Sequence, residues 1–377
     1  MEITIKTTDL TGALEVLSKI IPAKPVHAVL LGTHMSLGKD GRITLTAGDG
    51  DTFIRTELQT ESSTGQGCVM LNTRVLYDLL KTIADETVTL SFDDNLRCTL
   101  KWLTGKADIT ASGSADDYPV TEKMPQEAVT VTPDETELLS ALSHTLYAVA
   151  NDPIRPFMCG LRLEIGEERT TFACTDSHRL ASYVLNAGAA GPGSAIVPSR
   201  PAAIIKGLLR KNTDEKAAIT TDGRLVSITA GGYCLTTHSI PGKFPDWRAI
   251  LPKDNGNILT VDKDYLLSAM RRATAVTSAA FKTIVFHLVQ DGTCTISTED
   301  KGYMTESRES LTDAQYAGEE ITVAFKHDHV RDVLSTLSCD TVHLMLKDGR
   351  RAALLLPEDP DGEEPCTTLL MPIYIKN

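Results

Sequence analysis

The chain has 377 residues, 42% hydrophobic and 23% charged, which suits two or three folded domains and excludes a disordered chain. Its formal net charge of −13 argues against a protein that coats nucleic acid by overall attraction, but it allows a local positive patch. The sequence has no apolar run of about 18 residues that could span a membrane and no signal-peptide block at its start, so we expect a cytoplasmic protein.

Eight cysteines are scattered along the chain without a C-x-x-C pair. Most lie in apolar, strand-like stretches, which favours small core residues in a reducing compartment over a disulfide framework or a zinc site. The sequence therefore predicts neither a metal site nor a cofactor.

An amphipathic helix is predicted to open each third of the chain. The N-cap candidates are Asp9 and Asp262, and in the second third a capping box would place Pro133 at the first helical position. Apolar residues recur on one face of each helix at helical spacing. These residues are Leu10, Leu14, Leu17 and Ile21; Leu138, Leu142, Leu146 and Val149; and Leu266, Ala269, Met270 and Ala273.

A second helix is predicted in each third, within residues 72–84, 198–211 and 326–338. Each of these windows is followed by a hairpin with turn-forming residues at its tip. The three tips are Asp93-Asp94-Asn95, Thr221-Asp222-Gly223-Arg224 and Lys347-Asp348-Gly349-Arg350.

Two β-like runs flank a short polar corner between the two helices of each third. Asp49, Asp176 and Asp300 stand at these corners, spaced by 127 and 124 residues. Together with the helices and hairpins, this spacing predicts an α+β chain of three similar tandem domains at 1–125, 126–252 and 253–377. In each of them two helices would pack on an antiparallel sheet.

The predicted helices are more basic than the rest of the chain. The six windows sum to a formal charge of +2, which leaves −15 for the strands and loops. If the helices share one surface, that surface would suit phosphate contacts without base reading. The alternative is that lysines and arginines merely solvate outer helix faces. The strongest sign is a cluster within 198–211, a window that contains no acidic residue: Arg200, Lys206, Arg210 and Lys211.

Three motifs complete the pattern: T-D-S-H-R-L at 175–180, G-K-F-P-D-W at 242–247 and L-L-M-P-I at 369–373. In combination, and over the full length, they resemble the bacterial DNA polymerase III beta subunits, the family of DNA sliding clamps. The resemblance implies a head-to-tail ring of two subunits around duplex DNA, with helices lining the hole and sheets outside. It also implies a clamp loader that uses ATP, and partners such as the replicative polymerase alpha subunit and other proteins with a clamp-binding peptide.

The resemblance implies three sets of site residues. The partner-peptide groove would comprise Met158, Thr175, His178, Arg179, Leu180, Pro245, Ile250, Leu369, Met371, Pro372 and Ile373. Residues facing DNA would be Lys24, Asn151 and Arg155 in loops, together with the helix cations Arg74, Lys81, Arg200, Lys206, Arg210, Lys211, Arg271 and Arg272. The subunit interface would use Ala107, Ile109, Ala275, Val276 and Phe281.

Two features depart from the family. Four residues, Tyr374-Ile375-Lys376-Asn377, follow the terminal Met-Pro-Ile, where many clamps stop earlier. Ala249 stands where some relatives have an arginine. The rim of the groove is therefore less well defined by the resemblance than its floor.

Two other classes of function fit parts of the pattern. Asp176, Ser177 and His178 are the residue types of a hydrolase triad, but neighbours on an extended strand point to opposite faces and cannot line up as one. No nucleophile-elbow, Walker A or zinc-protease motif occurs, so an enzyme is disfavoured. The acidic corner residues could in principle hold a metal, yet they fall in separate repeats. A repeat scaffold without nucleic acid would keep the groove but lose the ring.

Overall fold

The computed structural model describes residues 1–93, 97–119, 121–278, 282–290, 292–358 and 365–374. The elements of the first third are β1 Glu2–Lys6, α1 Thr7–Ser18, β2 Gly32–Leu37, β3 Arg42–Gly48, β4 Thr52–Gln59, β5 Ser62–Thr64, β6 Gly67–Asn72, α2 Thr73–Leu80, β7 Thr87–Phe92, β8 Arg97–Trp102 and β9 Gly105–Thr110. Those of the second are β10 Val129–Val131, α3 Glu135–Thr145, β11 Gly160–Ile165, β12 Thr170–Thr175, β13 Arg179–Leu185, β14 Gly193–Pro198, α4 Ser199–Lys206, β15 Ala218–Thr221, β16 Leu225–Ala230 and β17 Tyr233–His238. Those of the third are β18 Asn257–Asp262, α5 Lys263–Thr274, β19 Thr283–Leu288, β20 Cys294–Asp300, β21 Thr305–Leu311, β22 Gln315–Ala317, β23 Ile321–Lys326, α6 His327–Leu334, β24 Thr341–Leu346, β25 Ala353–Pro357 and β26 Cys366–Leu370.

The predicted α+β class is confirmed. Within the described residues, each third contains two helices, and each helix follows directly or closely on a strand. The strand pairs are antiparallel, as predicted. The three thirds therefore repeat one order of elements, except that within the described residues the second third lacks the short strand that β5 and β22 form in the other two.

The chain divides by its internal contacts into two compact units. Unit 1 comprises Met1–Leu139 and Gly188–Ile240, and unit 2 comprises Ser140–Ala187 and Pro241–Asn377. The boundary between the units runs through the predicted middle domain, because that domain shares a sheet with each neighbour. The three domain boundaries therefore stay a prediction.

Unit 1 contains a five-stranded sheet in the order β5-β1-β7-β8-β9 and an eight-stranded sheet in the order β10-β15-β16-β17-β4-β3-β2-β6. In the larger sheet, β4 of the first third pairs with β17 of the second, and Phe53 lies opposite Thr236. Apolar residues of α1, Leu10, Leu14 and Leu17, are at most 1% exposed. Burying each of them contributes roughly 1.5–3 kcal/mol to folding.

Unit 2 follows the same plan. The strands of unit 2 that belong to one nine-stranded sheet run in the order β11-β12-β13-β26-β25-β24-β18-β22, and a four-stranded sheet runs β21-β20-β19-β23. Here β13 of the second third pairs with β26 of the third, and Leu180 lies opposite Leu369. Helices α5 and α6 pack on each other and on the four-stranded sheet, closing a core that contains Phe286 and Phe325.

Two predicted helix starts were wrong. Helix α1 begins at Thr7, directly after β1, so Asp9 lies in its first turn and the N-cap position is Lys6. A carboxylate in the first turn still stabilises the helix through its dipole. Helix α3 begins at Glu135 instead of Pro133. In contrast, Asp262 caps α5 as predicted, because its side chain accepts a hydrogen bond from the backbone N–H of Tyr265.

The second helices are shorter than predicted. Helix α2 ends at Leu80 and α4 at Lys206, because turns begin there and the later apolar residues pack from irregular backbone. The same holds for the ends of the first helices: Ile21, Leu146 and Val149 lie beyond the helices and are half-buried. The apolar periodicity therefore marked the buried face correctly and overran the helix ends.

All eight cysteines are free in the structure, and half of them are buried. In the part of the chain that the structure describes, no helix is long and apolar enough to cross a membrane. The hairpin tip at Asp94 and Asn95, the interface residue Phe281 and the last three residues of the tail lie outside the described residues.

Candidate functional site

The three polar corners share one hydrogen-bonding device. The Oδ1 atom of Asp176 accepts hydrogen bonds from the backbone N–H groups of His178 and Arg179, both at 2.9 Å. Oδ1 of Asp49 accepts from the second and third residues after it, at 3.1 and 2.8 Å. Oδ1 of Asp300 does the same at 2.9 and 3.2 Å. These aspartates therefore shape turns, and the corner repeat read from the sequence is present in the structure.

The corner geometry leaves the hydrolase triad without support. Ser177 Oγ accepts a hydrogen bond from Arg155 and contacts the sulfur of Met158, whereas His178 is exposed and its ring lies 6.3 Å from that of His329, tilted by 37°. Among the described residues, no three His, Cys, Asp or Glu side chains come together as a metal site. The corner therefore consists of a turn held by backbone hydrogen bonds that lies against an apolar side chain, Met158.

The predicted groove residues of unit 2 fall into a buried floor and an exposed rim. Met158, Thr175, Leu180 and Leu369 are at most 4% exposed. Leu180 and Leu369 are cross-strand partners at the junction of β13 and β26. A floor of this kind takes up apolar anchors of a partner.

The rim is apolar and accessible. Met371 is 38% exposed, Ile373 37% and Ile250 53%. The backbone N–H of Met371 donates to the carbonyl of His178 at 2.8 Å, which fixes the end of the chain beside the corner. Pro245 and Pro372 are half-buried. Large apolar side chains that are exposed in this way are typical of a binding surface where they form one patch.

The segment that carries Pro245 and Ile250 is held in place by neighbours in unit 2. Trp247 is buried, and Arg248 lies over its ring at 4.1 Å while donating to Glu164 of β11 at 2.7 Å. Gly242 has φ +125° and lies against Phe157, so a side chain there would be strained and crowded. Ala249 is exposed and leaves the adjoining rim open.

Among the residues predicted for the groove, Arg179 is the most constrained charged side chain. Its side chain is 13% exposed, and it donates to Asp176 at 3.0 Å and to Asp332 of α6 at 2.7 Å. Its guanidinium also lies 5.4 Å from the ring centre of Tyr147. Burial and the nearby Arg179 charge lower the pKa of His329. Arg179 is therefore pinned by two carboxylates and a ring.

Sequence reasoning missed Asp332 and Tyr147, and no local signal could have identified them. Asp332 lies 153 residues from Arg179 in the chain. Tyr147 lies just after α3, in a stretch that periodicity assigned to the helix stripe. Its hydroxyl is 3.2 Å from that of Thr368 on β26, and burial raises its pKa.

The tail beyond Met-Pro is anchored as far as the structure describes it. The backbone N–H of Ile373 donates to the carbonyl of Ala324 on β23 at 2.7 Å. The ring centre of Tyr374 lies 5.7 Å from the guanidinium of Arg350. Ile373 and Tyr374 also line a cavity of about 390 Å³ beside β23. Of the four residues that depart from the family pattern, Tyr374 is the one that the structure describes, and it contacts Arg350 and lines this cavity.

The residues predicted to face DNA divide by their existing partners. Lys24, Arg74, Arg210, Lys211 and Arg271 are exposed and make no ion pair with any described residue. Three others are already paired: Lys81 with Asp78, Arg155 with Asp152 and Arg272 with Glu309. Asn151 is exposed. Because the neighbouring carboxylate offsets the charge of a paired cation, the first group presents the larger net positive charge to its surroundings.

Two members of the cluster on α4 have structural contacts. Arg200 donates to the carbonyl oxygens of Lys19 at 2.6 Å and Ile21 at 3.3 Å, at the end of α1. A cation at this position stabilises the C-terminus of a helix. Lys206 is half-buried, and burial lowers its pKa. The basic cluster is thus partly a packing contact within unit 1.

The predicted interface residues lie next to sheet edges. Ala107 and Ile109 lie on β9, the last strand of the five-stranded sheet, and Ile109 is 8% exposed. Val276 is 44% exposed, and its carbonyl accepts a hydrogen bond from Thr305 at 2.6 Å, at the start of β21. Ala275 is exposed. Strand β21 is the last strand of the four-stranded sheet, and sequence reasoning missed its role as an edge.

The sequence patterns of three domains from one protein family match this chain. The N-terminal domain of the DNA polymerase III beta subunit matches residues 1–122, the central domain 133–246 and the C-terminal domain 248–374. The chain is similar to the "Beta sliding clamp" of Synechococcus elongatus, at 24% identity over all of both chains, and to that of Haemophilus influenzae, at 23% over all of both chains. Among solved structures, it superposes on the Pseudomonas aeruginosa sliding clamp bound to griselimycin with a TM-score of 0.92 at 21% identity, and on the Thermotoga maritima beta subunit with 0.89 at 20%. Each superposition covers all of both chains.

Proposed function

The chain belongs to the DNA polymerase III beta subunit family, and from this premise we propose that it works as a DNA sliding clamp. It is a processivity factor that encircles duplex DNA, slides along it and tethers the replicative polymerase and other replication or repair proteins. The domains are the three repeats at 1–125, 126–252 and 253–377, and the chain acts in the cytoplasm without a catalytic step of its own.

The observation that carries the proposal is the pair of open sheet edges. The junction of β4 with β17 and that of β13 with β26 are the same junction made twice, each joining the strand after a corner to the last strand of the next repeat. The third copy of this junction is incomplete: β21 follows the third corner, and β9 ends the first repeat, and both are edges. A second chain supplies each missing half, and two such junctions close a ring.

The repeat also gives the register of that junction. Phe53 lies opposite Thr236, and Leu180 lies opposite Leu369. Within its own corner hairpin, each of Phe53 and Leu180 pairs with the residue just before the corner aspartate. In the third repeat the residue that pairs in this way is Glu306, whose partner is Glu299. Strands β17 and β9 each follow a two-residue turn, and Thr236 and Asp108 stand at the same position after that turn. Glu306 therefore faces the partner subunit's Asp108 in the proposed junction.

In this register, the inward-facing residues of one strand lie opposite the inward-facing residues of the other. Thr305 faces the partner subunit's Ile109, and Ser307 faces the partner subunit's Ala107. It also sets like charges directly opposite each other, which is unfavourable. Arg97 and Thr99 already hold the carboxylate of Asp108, at 3.2 and 2.7 Å, and this lessens the cost.

The grip on DNA is geometric. The five unpaired cations of the predicted set supply weak phosphate contacts, whereas Lys81, Arg155, Arg200 and Arg272 are engaged within the protein. Weak, sequence-independent contacts permit sliding, whereas a closed ring prevents loss. A closed ring cannot thread itself onto a circle, so a clamp loader that uses ATP opens it.

The groove of unit 2 binds the partner's peptide. Its floor of Met158, Leu180 and Leu369 accepts leucine and aromatic anchors, and the rim residues Met371 and Ile373 cover them. His178 and the pinned Arg179 orient the polar first residue of the peptide. The polymerase and the loader would use this one site in turn.

A triple replacement tests the function. Met371→Ala, Pro372→Ala and Ile373→Ala together should abolish stimulation of the polymerase and leave the solution mass of the dimer unchanged, because Ile373 bonds to β23, at the edge of the four-stranded sheet opposite β21. The control Val75→Ala truncates another exposed apolar side chain, 51% accessible on α2, and should stimulate like the wild type. Full stimulation by the triple variant would refute the groove.

A further inference from the structure

Ser177, at the tip of the groove corner, holds an uncommon backbone conformation. Its φ is +76°, in the left-handed region that side chains other than glycine rarely occupy. Its own backbone N–H donates to Thr175 Oγ1 at 3.2 Å. The preceding and following residues, Asp176 and His178, supply the turn and the accessible imidazole of the groove. The orientation of this tip therefore depends on the contacts that keep Ser177 in this backbone conformation.

Arg155 makes two contacts in this region, one from its side chain to the corner and one from its backbone to Met158. Its guanidinium donates to Ser177 Oγ at 2.6 Å, and its carbonyl accepts from the backbone N–H of Met158 at 3.0 Å. The guanidinium is itself fixed by Asp152, with Nε 2.9 Å from Oδ2. Ser177 Oγ lies 3.9 Å from the sulfur of Met158, so both Arg155 contacts converge on the groove floor.

We propose that Arg155 is a positioning residue of the peptide groove: it holds Ser177 in its left-handed conformation and so fixes the corner that carries His178. This inference rests on the proposed peptide-binding function of the groove. It assigns Arg155 to the groove, whereas the family resemblance placed this residue against DNA. A charge-assisted hydrogen bond offsets the conformational cost at Ser177, and a glycine at this position would remove that cost.

The proposal is tested by a double-mutant cycle. Peptide affinity is measured by fluorescence anisotropy on the full-length protein, with a labelled peptide that has Gln first and Leu and Phe later. Arg155→Ala should weaken binding about fivefold, which corresponds to roughly 1 kcal/mol. Ser177→Gly should bind within about twofold of the wild type, because glycine adopts the conformation unaided. Arg155→Ala in the Ser177→Gly background should then cause little further loss.

Arg351→Ala is the matched control, since Arg351 is also an exposed arginine paired with an aspartate three residues before it, Asp348, and it does not touch the corner. It should bind as the wild type does. Additive losses in the cycle, or equal binding by Arg155→Ala and wild type, would overturn the proposal.

Hydrogen exchange without peptide provides a second readout. The backbone amides of residues 175–180 should exchange faster in Arg155→Ala than in the wild type. Their exchange rates should be unchanged in the Arg351→Ala control. If the wild type binds no peptide, the proposed function fails. If it binds and Arg155→Ala leaves both affinity and exchange unaltered, only the role of Arg155 fails.

Discussion

The register of the proposed subunit junction can be read by cross-linking. In an antiparallel pair, the Cα atoms of directly opposed residues lie about 4.5–5.5 Å apart, within the span that a disulfide bridges. Ser307 is expected opposite the partner subunit's Ala107. A slip by two residues would place Thr305 there instead and would set Glu306 against the partner subunit's Lys106, an arrangement that charge alone favours.

The two registers make opposite predictions for two variants that differ at one position. A slip by two residues moves a strand by about 6.6 Å while keeping the same side chains on the same face. The Ala107→Cys, Ser307→Cys variant should therefore oxidise to a covalent dimer, with at least about ten times the yield of the Ala107→Cys, Thr305→Cys variant. Yields are compared on non-reducing gels, and single-cysteine variants measure the background from exposed Cys68.

Three outcomes refute parts of this reasoning. Cross-linking of the Thr305 variant alone would show that charge, not the internal repeat, sets the register. Cross-linking of neither variant in a protein whose solution mass is that of a dimer would show that β9 and β21 do not pair. Equal yields from both variants would indicate a junction without a fixed register.

Other predictions follow from single contacts. Asp332→Asn should lower the melting temperature by about 2–6 °C through loss of about 1–2 kcal/mol of charge-assisted bonding to a nearly buried guanidinium, whereas Asp264→Asn, at a carboxylate 83% exposed, should change it little. Arg271→Ala should reduce the salt slope of duplex binding by about 1, and Arg272→Ala should leave it nearly unchanged, because only Arg272 is already paired with a carboxylate. The pKa of Glu122 is lowered to about 2, first by its hydrogen bond to a guanidinium and then by an imidazole. Its stabilising contribution should therefore be complete above about pH 4.5 and be lost as the pH falls towards 2, so that Glu122→Gln flattens the acid-unfolding profile in that window.

Turn chemistry made the repeat readable from the sequence. Asp49, Asp176 and Asp300 each bond to backbone groups two and three residues ahead, so their signal is local and survives in the sequence at a constant spacing. Apolar periodicity likewise identified the helices and their buried faces. The helix starts at Thr7 and Glu135 were not predicted, because a strand or bridge runs almost directly into each helix. Backbone pairing there takes the place of the capping residues on which the prediction was based.

Long-range contacts explain what the sequence could not reveal. The pairing of β4 with β17 joins residues about 180 positions apart, and nothing near either strand specifies it. Arg200 looked like a surface cation in an acid-free window, yet it binds the carbonyl end of α1. The groove residues came from motif resemblance, whereas the carboxylate of Asp332 that pins Arg179 came only from the folded chain.

The central claim, that the grip on DNA is topological, is tested most directly by cutting the DNA. The protein is loaded by its clamp loader onto nicked circular duplex, freed of unbound protein by gel filtration, and divided into two portions, one of which is linearised with a restriction enzyme. We predict that the ring stays with the intact circles and leaves the linear DNA. Equal retention on both would contradict the account.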